Sequence, residues 1–149
     1  MIPPILLLCF LMGVTAAASI ADALARHGRA RRLSALAAAW RVRFTPEDRF
    51  QLTPRVAAQF PTPGAADVVV RDVVYGQEAG GTVRYVFTIE YTVGVVRTKR
   101  RRSAVGMLVD SATPAKAEGQ LALAPTELPT IRRYEWLWER QGGGVAAIA

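Results

Sequence analysis

Residues 82–93 read TVRYVFTIEYTV, and the alternation within this run decides the fold. Every odd-numbered residue of the run is apolar or aromatic, and every even-numbered one is polar or charged apart from Val86. An alternation with a period of two predicts a β-strand with one buried face. We expect Arg84, Thr88 and Glu90 on the outer face, where Glu90 suits an ion pair better than acid–base chemistry.

The segments on either side of this run extend it into a sheet. Residues 68–75 are β-branched and aromatic, and residues 76–81 supply turn glycines, so the two runs predict an antiparallel hairpin. A third strand is expected over residues 95–109, and a short fourth one over 121–123. The sheet therefore has three or four antiparallel strands.

Helix signals flank the sheet. Residues 45–48 read TPED and Thr53 precedes a second proline, which predicts two short helices at about 46–52 and 54–60, the first capped by Thr45. In residues 127–140, Leu128, Ile131 and Leu137 recur at helical spacing, which favours a helix over a strand. The class is α+β, with short helices on one face of the sheet, over a domain of residues 44–141. Residues 142–149 are expected to form a flexible tail.

An uncharged apolar segment comes before this domain. Residues 2–21 contain no charged side chain, and a helix over 5–21 would span about 26 Å at ~1.5 Å per residue. This length is at the short limit for crossing a bilayer. Residues 1–21 therefore predict a transmembrane anchor. A signal peptide cleaved after Ala18 and an ordinary buried helix are the alternatives.

Basic residues follow the segment and none precedes it. Residues 22–43 predict a basic juxtamembrane helix, and by the positive-inside rule the domain behind it is cytoplasmic. If the segment is cleaved, the domain is exported instead.

A second basic run, residues 97–102, reads RTKRRR within a chain of net charge +7. It suits acidic lipid headgroups or other phosphates, and it equally suits a sheet edge that resists pairing with other strands. If a strand continues through the run, its charges divide between the two faces of the sheet. The candidate anion- and membrane-binding residues are Arg26, Arg29, Arg31, Arg32, Arg97, Lys99, Arg100, Arg101 and Arg102. Nucleic acid is disfavoured as a partner, because no base-stacking or reader motif accompanies these charges.

The remaining chemistry-bearing residues form no catalytic pattern. The only cysteine, Cys9, lies in the apolar segment, and the only histidine, His27, has no neighbouring carboxylate pattern. The glycines at 76–81 belong to a hairpin and precede no helix, so they form no phosphate loop. We therefore predict neither a catalytic site nor a metal or cofactor site, and the protein is expected not to be an enzyme.

Several segments carry a resemblance to other proteins. They are WRVRF at 40–44, TPEDRF at 45–50, VRDVVYG at 70–76 and YVFTIEY at 85–91. Together they resemble uncharacterised small membrane-anchored proteins of GC-rich bacteria, planctomycetes among them. The resemblance implies a location and a layout, and it transfers no functional residue.

These observations lead to one functional hypothesis and one alternative. The hypothesis is a single-pass, membrane-tethered, non-catalytic domain that binds a protein or an acidic membrane surface. The alternative is an exported binding domain released by cleavage after Ala18. Membrane lipid is the expected partner in the first case, and the identity of any protein partner lies beyond the sequence.

Overall fold

A computed structural model describes residues 3–78, 81–95, 97–110 and 119–140 of the chain. The chain divides into two compact units, Met1–Arg32 and Leu33–Ala149. The predicted flexible tail at 142–149 lies outside the described residues. The elements in chain order are α1 Pro4–Ala39, β1 Arg43–Thr45, α2 Leu52–Gln59, β2 Ala66–Gln77, β3 Val83–Val93, β4 Arg100–Asp110, β5 Ala122–Leu123 and α3 Thr130–Arg140.

The five strands form one antiparallel sheet in the order β1-β2-β3-β4-β5. The predicted α+β class is confirmed, with one strand more than the three or four expected. The additional strand is β1, which has three residues and is too short to show a period of two. The C-terminal helix predicted at 127–140 is α3.

The sheet is covered on both faces, whereas the sequence predicted helices on one. One face packs against α2, through Leu52 and Val56 with the odd-numbered side chains of β3. The other face packs against α3 and the last turns of α1, through Trp138, Tyr134 and Leu33. Residues 84–91 are all buried as a result, so the expectation of a strand with one buried face is wrong.

The polar residues of β3 are buried because each has a partner on the α3 face. The Arg84 guanidinium is ion-paired with Glu78, donates to the Trp138 carbonyl at 3.0 Å and lies 5.4 Å from the centre of the Trp138 ring. The Thr88 and Tyr134 hydroxyl oxygens lie 2.8 Å apart, and the Tyr134 hydroxyl donates to the Asp72 carbonyl at 2.6 Å. A buried polar group without such partners would cost roughly 1–3 kcal/mol.

Two irregularities in β2 determine which side chains reach each face. The register slips between Ala66 and Val69 and again between Arg71 and Val74. Asp67 and Asp72 lie at these points with positive φ angles of 52°, a conformation that aspartate tolerates better than most residues. Because each slip adds one residue to β2, Val70 and Val73 share the α2 face although three positions separate them.

The chain between β1 and α2 differs from its prediction. Residues 46–51 contain no helix, and the Thr45 hydroxyl donates to the Glu47 carbonyl instead of capping a helix. Gln51 occupies the N-cap position without a capping side-chain bond, and the capping side chain is that of Asp48. Asp48 accepts hydrogen bonds from the Leu52 amide at 2.9 Å and from the Thr53 amide at 2.7 Å. The first predicted helix is therefore wrong: residues 46–51 form the turn that caps α2.

The Asp48 carboxylate is held in its ionised form. Burial, the largest single influence, acts to raise its pKa, but the hydrogen bonds from the amides of Leu52, Thr53 and Phe50 and from the Thr53 hydroxyl outweigh it. The pKa of Asp48 consequently lies below its ordinary value of 3.8. A lowered pKa means that this carboxylate stabilises the fold above that ordinary value, and that the contribution is lost as the pH falls through the lowered pKa.

We expect Asp48→Ala to lower the free energy of unfolding at pH 7 by about 1 kcal/mol, the usual effect of removing a helix cap. Urea titration followed by tryptophan fluorescence measures this, with Glu47→Gln as the control because Glu47 is an exposed neighbour of the same charge. The difference from the unmodified protein should shrink as the pH falls below 3.8. A difference that stays constant with pH would contradict the assigned role of the ionised carboxylate.

Candidate functional site

The first unit contains an apolar surface that nothing in that unit covers. Between Ile5 and Ile20, nine large apolar side chains are exposed by 50% to 72%. Within the described residues, α1 is the one helix long and apolar enough to cross a membrane, and none of its most apolar window is buried. A helix near the N-terminus with these properties is weak evidence for an anchor, because a signal sequence has them too.

Four of the predicted basic residues lie on α1 within the same unit. Arg26 forms an ion pair with Asp22 at 2.8 Å, one helical turn away. Arg31 and Arg32 are exposed, and Arg29 is half-buried. His27 is exposed on the same helix.

The other five predicted residues lie at one end of the second unit. Arg97 and Lys99 belong to the turn between β3 and β4, and Arg100, Arg101 and Arg102 begin β4. We call residues 94, 95 and 97–99 the hairpin tip. Val95 in this tip is 75% exposed, and Arg97 and Lys99 beside it are exposed as well. The tip therefore presents an apolar side chain together with cations.

The arginines of β4 divide between the two faces of the sheet, as expected if a strand continues through the run. Arg100 lies opposite Val93 and Arg102 opposite Tyr91, on the α2 face, whereas Arg101 lies opposite Thr92 on the α3 face. Arg101 donates to Glu90 at 2.9 Å, and the Arg71 Nε lies 3.3 Å from the same carboxylate oxygen. The ion pair expected of Glu90 is present, but Glu90 is only 8% exposed and not an outward surface residue. The Arg101 guanidinium is therefore engaged in an ion pair within the sheet.

The structure shows a second candidate site that the sequence analysis missed. A cleft of about 600 Å³ opens where β1, β2 and β3 meet the end of α1. Its lining residues are Arg41, Val42, Arg43, Phe50, Tyr75, Gly76, Gln77, Val83 and Tyr85. All of them belong to the second unit. The volume lies within the usual range of about 300–1,000 Å³ for small-molecule pockets.

Three aromatic rings form one wall of this cleft. The Phe50 ring centre lies 4.6 Å from that of Tyr75, edge to face, and 5.1 Å from that of Tyr85. Tyr75 and Tyr85 are direct partners across β2 and β3, with ring centres 6.3 Å apart. Burial is the main cause of a raised pKa at the Tyr85 phenol, and the Asp110 carboxylate raises this pKa further. Tyr85 is therefore a neutral hydrogen-bonding group at physiological pH.

The backbone of Gly76 forms part of the floor of the cleft. A Cβ atom at this position would lie 2.6 Å from the Val42 Cγ1 atom, so β2 can approach Val42 only because residue 76 has no side chain. The sequence assigned Gly76 to a turn, but it lies within β2.

One signal in the sequence points to this wall. In the predicted hairpin, Tyr75 and Tyr85 lie near the connecting loop on the two strands, and the register of residues 74–77 with 83–86 pairs them directly. The contributions of Arg41, Arg43 and Phe50 are not readable from periodicity, because all three depend on how the chain leaves α1 and enters the turn before α2.

Within the described residues, no three His, Cys, Asp or Glu side chains are grouped so that they could hold a metal ion. The carboxylates near the sheet have other roles. Asp110 accepts two hydrogen bonds from Arg55, at 2.9 and 2.5 Å, and Glu78 is paired with Arg84. The first candidate site therefore consists of cations beside an exposed apolar side chain, and the second consists of cations and aromatic rings.

Comparison of the chain with protein-family models, with curated proteins and with solved structures finds no match in any of the three.

Proposed function

We propose that the protein is a single-pass, membrane-tethered, non-catalytic binding domain whose hairpin tip faces an acidic lipid surface. The observation that carries the tether is the apolar stretch of α1, none of which is buried. Each of its large side chains contributes roughly 1.5–3 kcal/mol on complete removal from water. The free energy gained by removing nine such side chains from water exceeds the free-energy cost of inserting the few polar groups of residues 5–21, which include Thr15 and Ser19.

The polar groups in this stretch are partly satisfied within the helix, which supports insertion. The Thr15 hydroxyl donates to the Leu11 and Met12 carbonyls at 3.0 and 2.9 Å, and the Ser19 hydroxyl donates to the Thr15 carbonyl at 2.9 Å. A hydroxyl that bonds back to its own helix leaves no unpaired donor in hydrocarbon. Under this proposal the arginines after residue 25 lie on the cytoplasmic side, following the positive-inside rule.

Charge and exposure at the hairpin tip support contact with acidic headgroups. Val95 offers an apolar side chain for the interface, and Arg97, Lys99, Arg100 and Arg102 are exposed around it. A cation near an anionic leaflet contributes about 1 kcal/mol of attraction, which falls off within a Debye length of ~8 Å at physiological salt. Arg101 is left out of this contact set because it neutralises Glu90.

The non-catalytic part of the proposal rests on how the carboxylates of the domain are used. Asp48 caps a helix, Glu90 and Asp110 are ion-paired with arginines, and Asp67 accepts from Thr92 at a strand irregularity. Each of these groups has a structural task in the fold. The suggested kinship with membrane-anchored proteins of GC-rich bacteria stays a prediction.

The exported alternative rests on the three small residues at 16–18, which suit a cleavage site before Ser19. It leaves the binding domain intact but removes the tether. The two cases differ in the mature N-terminus and in membrane association, both of which are measurable on the native protein.

We expect the native protein to stay in the membrane pellet after alkaline carbonate extraction and to keep the residues that precede Ser19. Replacing Leu8 and Leu11 with Arg should release it, because a charge at the centre of a spanning helix costs about 2.5–3.5 kcal/mol. Replacing Leu24 with Arg serves as the control, since Leu24 lies beyond the predicted span and the variant should remain in the pellet. Soluble native protein that begins at Ser19 would replace the tether with the exported alternative.

The hairpin tip is tested with a polarity-sensitive dye on Val95→Cys in a Cys9→Ser background, in nanodiscs. We expect blue-shifted emission in discs that contain phosphatidylserine and not in discs of phosphatidylcholine alone. Arg97→Gln with Arg100→Gln should reverse most of the shift, as should 0.5 M salt, because the attraction is electrostatic.

The matched control for this experiment is Arg49→Gln with Arg132→Gln, which removes the same charge at two other exposed positions. This control should keep the shift. Equal emission in the two lipids, or an equal loss in both double variants, would remove headgroup contact from the proposal and leave the tether unaffected.

A further inference from the structure

We infer that the cleft between β1, β2, β3 and the end of α1 binds a small soluble aryl anion, a flat aromatic body that carries a carboxylate or phosphate group. This inference stands apart from the tether, because every lining residue lies in the second unit.

The charge of the cleft specifies the anionic group. Arg41 and Arg43 are both exposed at its rim, and neither guanidinium has an ion-pair partner among the residues that the structure describes. No carboxylate is among the lining residues, and the nearby Asp110 is held by Arg55. Two guanidinium groups beside an apolar wall suit a carboxylate or phosphate, which each arginine can bind through two parallel hydrogen bonds.

The backbone at Arg41 is a second observation that points to use of its side chain. α1 ends in a Schellman motif, in which the Val42 amide donates to the Ala37 carbonyl at 2.9 Å and the Arg41 amide donates to the Ala38 carbonyl at 3.1 Å. Residue 41 is the left-handed position of this motif, with a φ of 57°, where glycine is the usual residue. Arginine occupies it against a local conformational cost of about 1–2 kcal/mol.

The aromatic wall specifies the body of the ligand. The Phe50 ring meets that of Tyr75 edge to face and that of Tyr85 at a tilt, and the Tyr75 and Tyr85 rings are stacked with 29° between their planes. A flat aromatic ligand can make offset-stacked or edge-to-face contacts with such a wall. Tyr85 is only 9% exposed, and its raised pKa keeps the phenol neutral, so no negative charge opposes an anion there. Val42 and Val83 complete the apolar part of the lining.

The test is isothermal titration calorimetry of the full chain in phosphatidylcholine nanodiscs with 1-naphthyl phosphate, using empty discs as the reference. We expect saturable binding at one site per chain. Inorganic phosphate, which lacks the ring, and 1-naphthol, which lacks the charge, should each bind at least 10-fold more weakly. Equal binding of either one to that of 1-naphthyl phosphate would overturn the inference.

Three variants assign the binding to the cleft. Arg41→Gly and Arg43→Gln should each weaken 1-naphthyl phosphate binding by about 10-fold or more, as expected for a lost charge-assisted hydrogen bond. Arg132→Gln, which removes one exposed charge from α3, should bind as the unmodified chain does. Equal affinity in all three variants would place the binding elsewhere.

Arg41→Gly also separates binding from folding. Glycine suits the left-handed position, so the urea midpoint of this variant should be equal to or higher than that of the unmodified chain, while its affinity falls. A midpoint that falls together with the affinity would give Arg41 a structural role and overturn its assignment to the ligand.

A lipid headgroup offers the same anionic chemistry, and the lipid composition distinguishes the two sources. Addition of phosphatidylglycerol to the discs should leave the affinity for 1-naphthyl phosphate within twofold. Competition that depends on Arg41 and Arg43 would assign the cleft to lipid and overturn the soluble ligand. If the native chain begins at Ser19, the same titration applies to that chain in solution, so failure of the tether and failure of this inference remain distinguishable.

Discussion

The central strand β3 is buried on both faces although four of its eleven residues, Arg84, Thr88, Glu90 and Thr92, are polar. The packing of the rest of the domain depends on how these polar side chains are satisfied. Tyr134 of α3 satisfies one of them at the middle of the strand, where its hydroxyl lies 2.8 Å from that of Thr88 and donates to the Asp72 carbonyl at 2.6 Å. These contacts tie α3, β3 and β2 together in one buried network. Networks of this kind specify one arrangement of the layers, because any other leaves their members unpaired.

The alternation in the sequence predicts the sheet, but it does not predict that α3 and the end of α1 cover the second face. Alternation in residues 82–93 placed the apolar side chains of β3 correctly, since a period of two follows from strand geometry alone. The same alternation makes Arg84 and Glu90 resemble solvent-facing residues. Their burial depends on Glu78, Trp138, Arg71 and Arg101, which are distant in sequence or belong to other elements, and no local pattern reports such pairs.

The turn before α2 shows a related limit. Residues 45–48 have the composition of a helix start, which predicts a helix beginning there. Asp48 instead reaches forward to the amides of Leu52 and Thr53, and the left-handed Gln51 reverses the chain between them. The cap and the helix it serves are separated by a turn, a relation that residue preferences at single positions do not distinguish from an immediate start. The cleft was not predicted for a similar reason. Its lining residues Arg41 and Phe50 lie in turns, and the path of a turn is not visible in the periodicity of the sequence.

The two irregularities of β2 fix how many residues that strand must contain for its side chains to reach the correct faces. Each aspartate adds one residue to β2 that β3 does not match, and the direction of every following side chain depends on that addition. Loss of a single residue at Asp72 would exchange the two faces for Val73, Val74 and Tyr75, turning the tyrosine away from Phe50. Chains that share this architecture should therefore tolerate changes at the exposed positions of β2, such as Val69 and Gln77, far better than insertions or deletions within the strand.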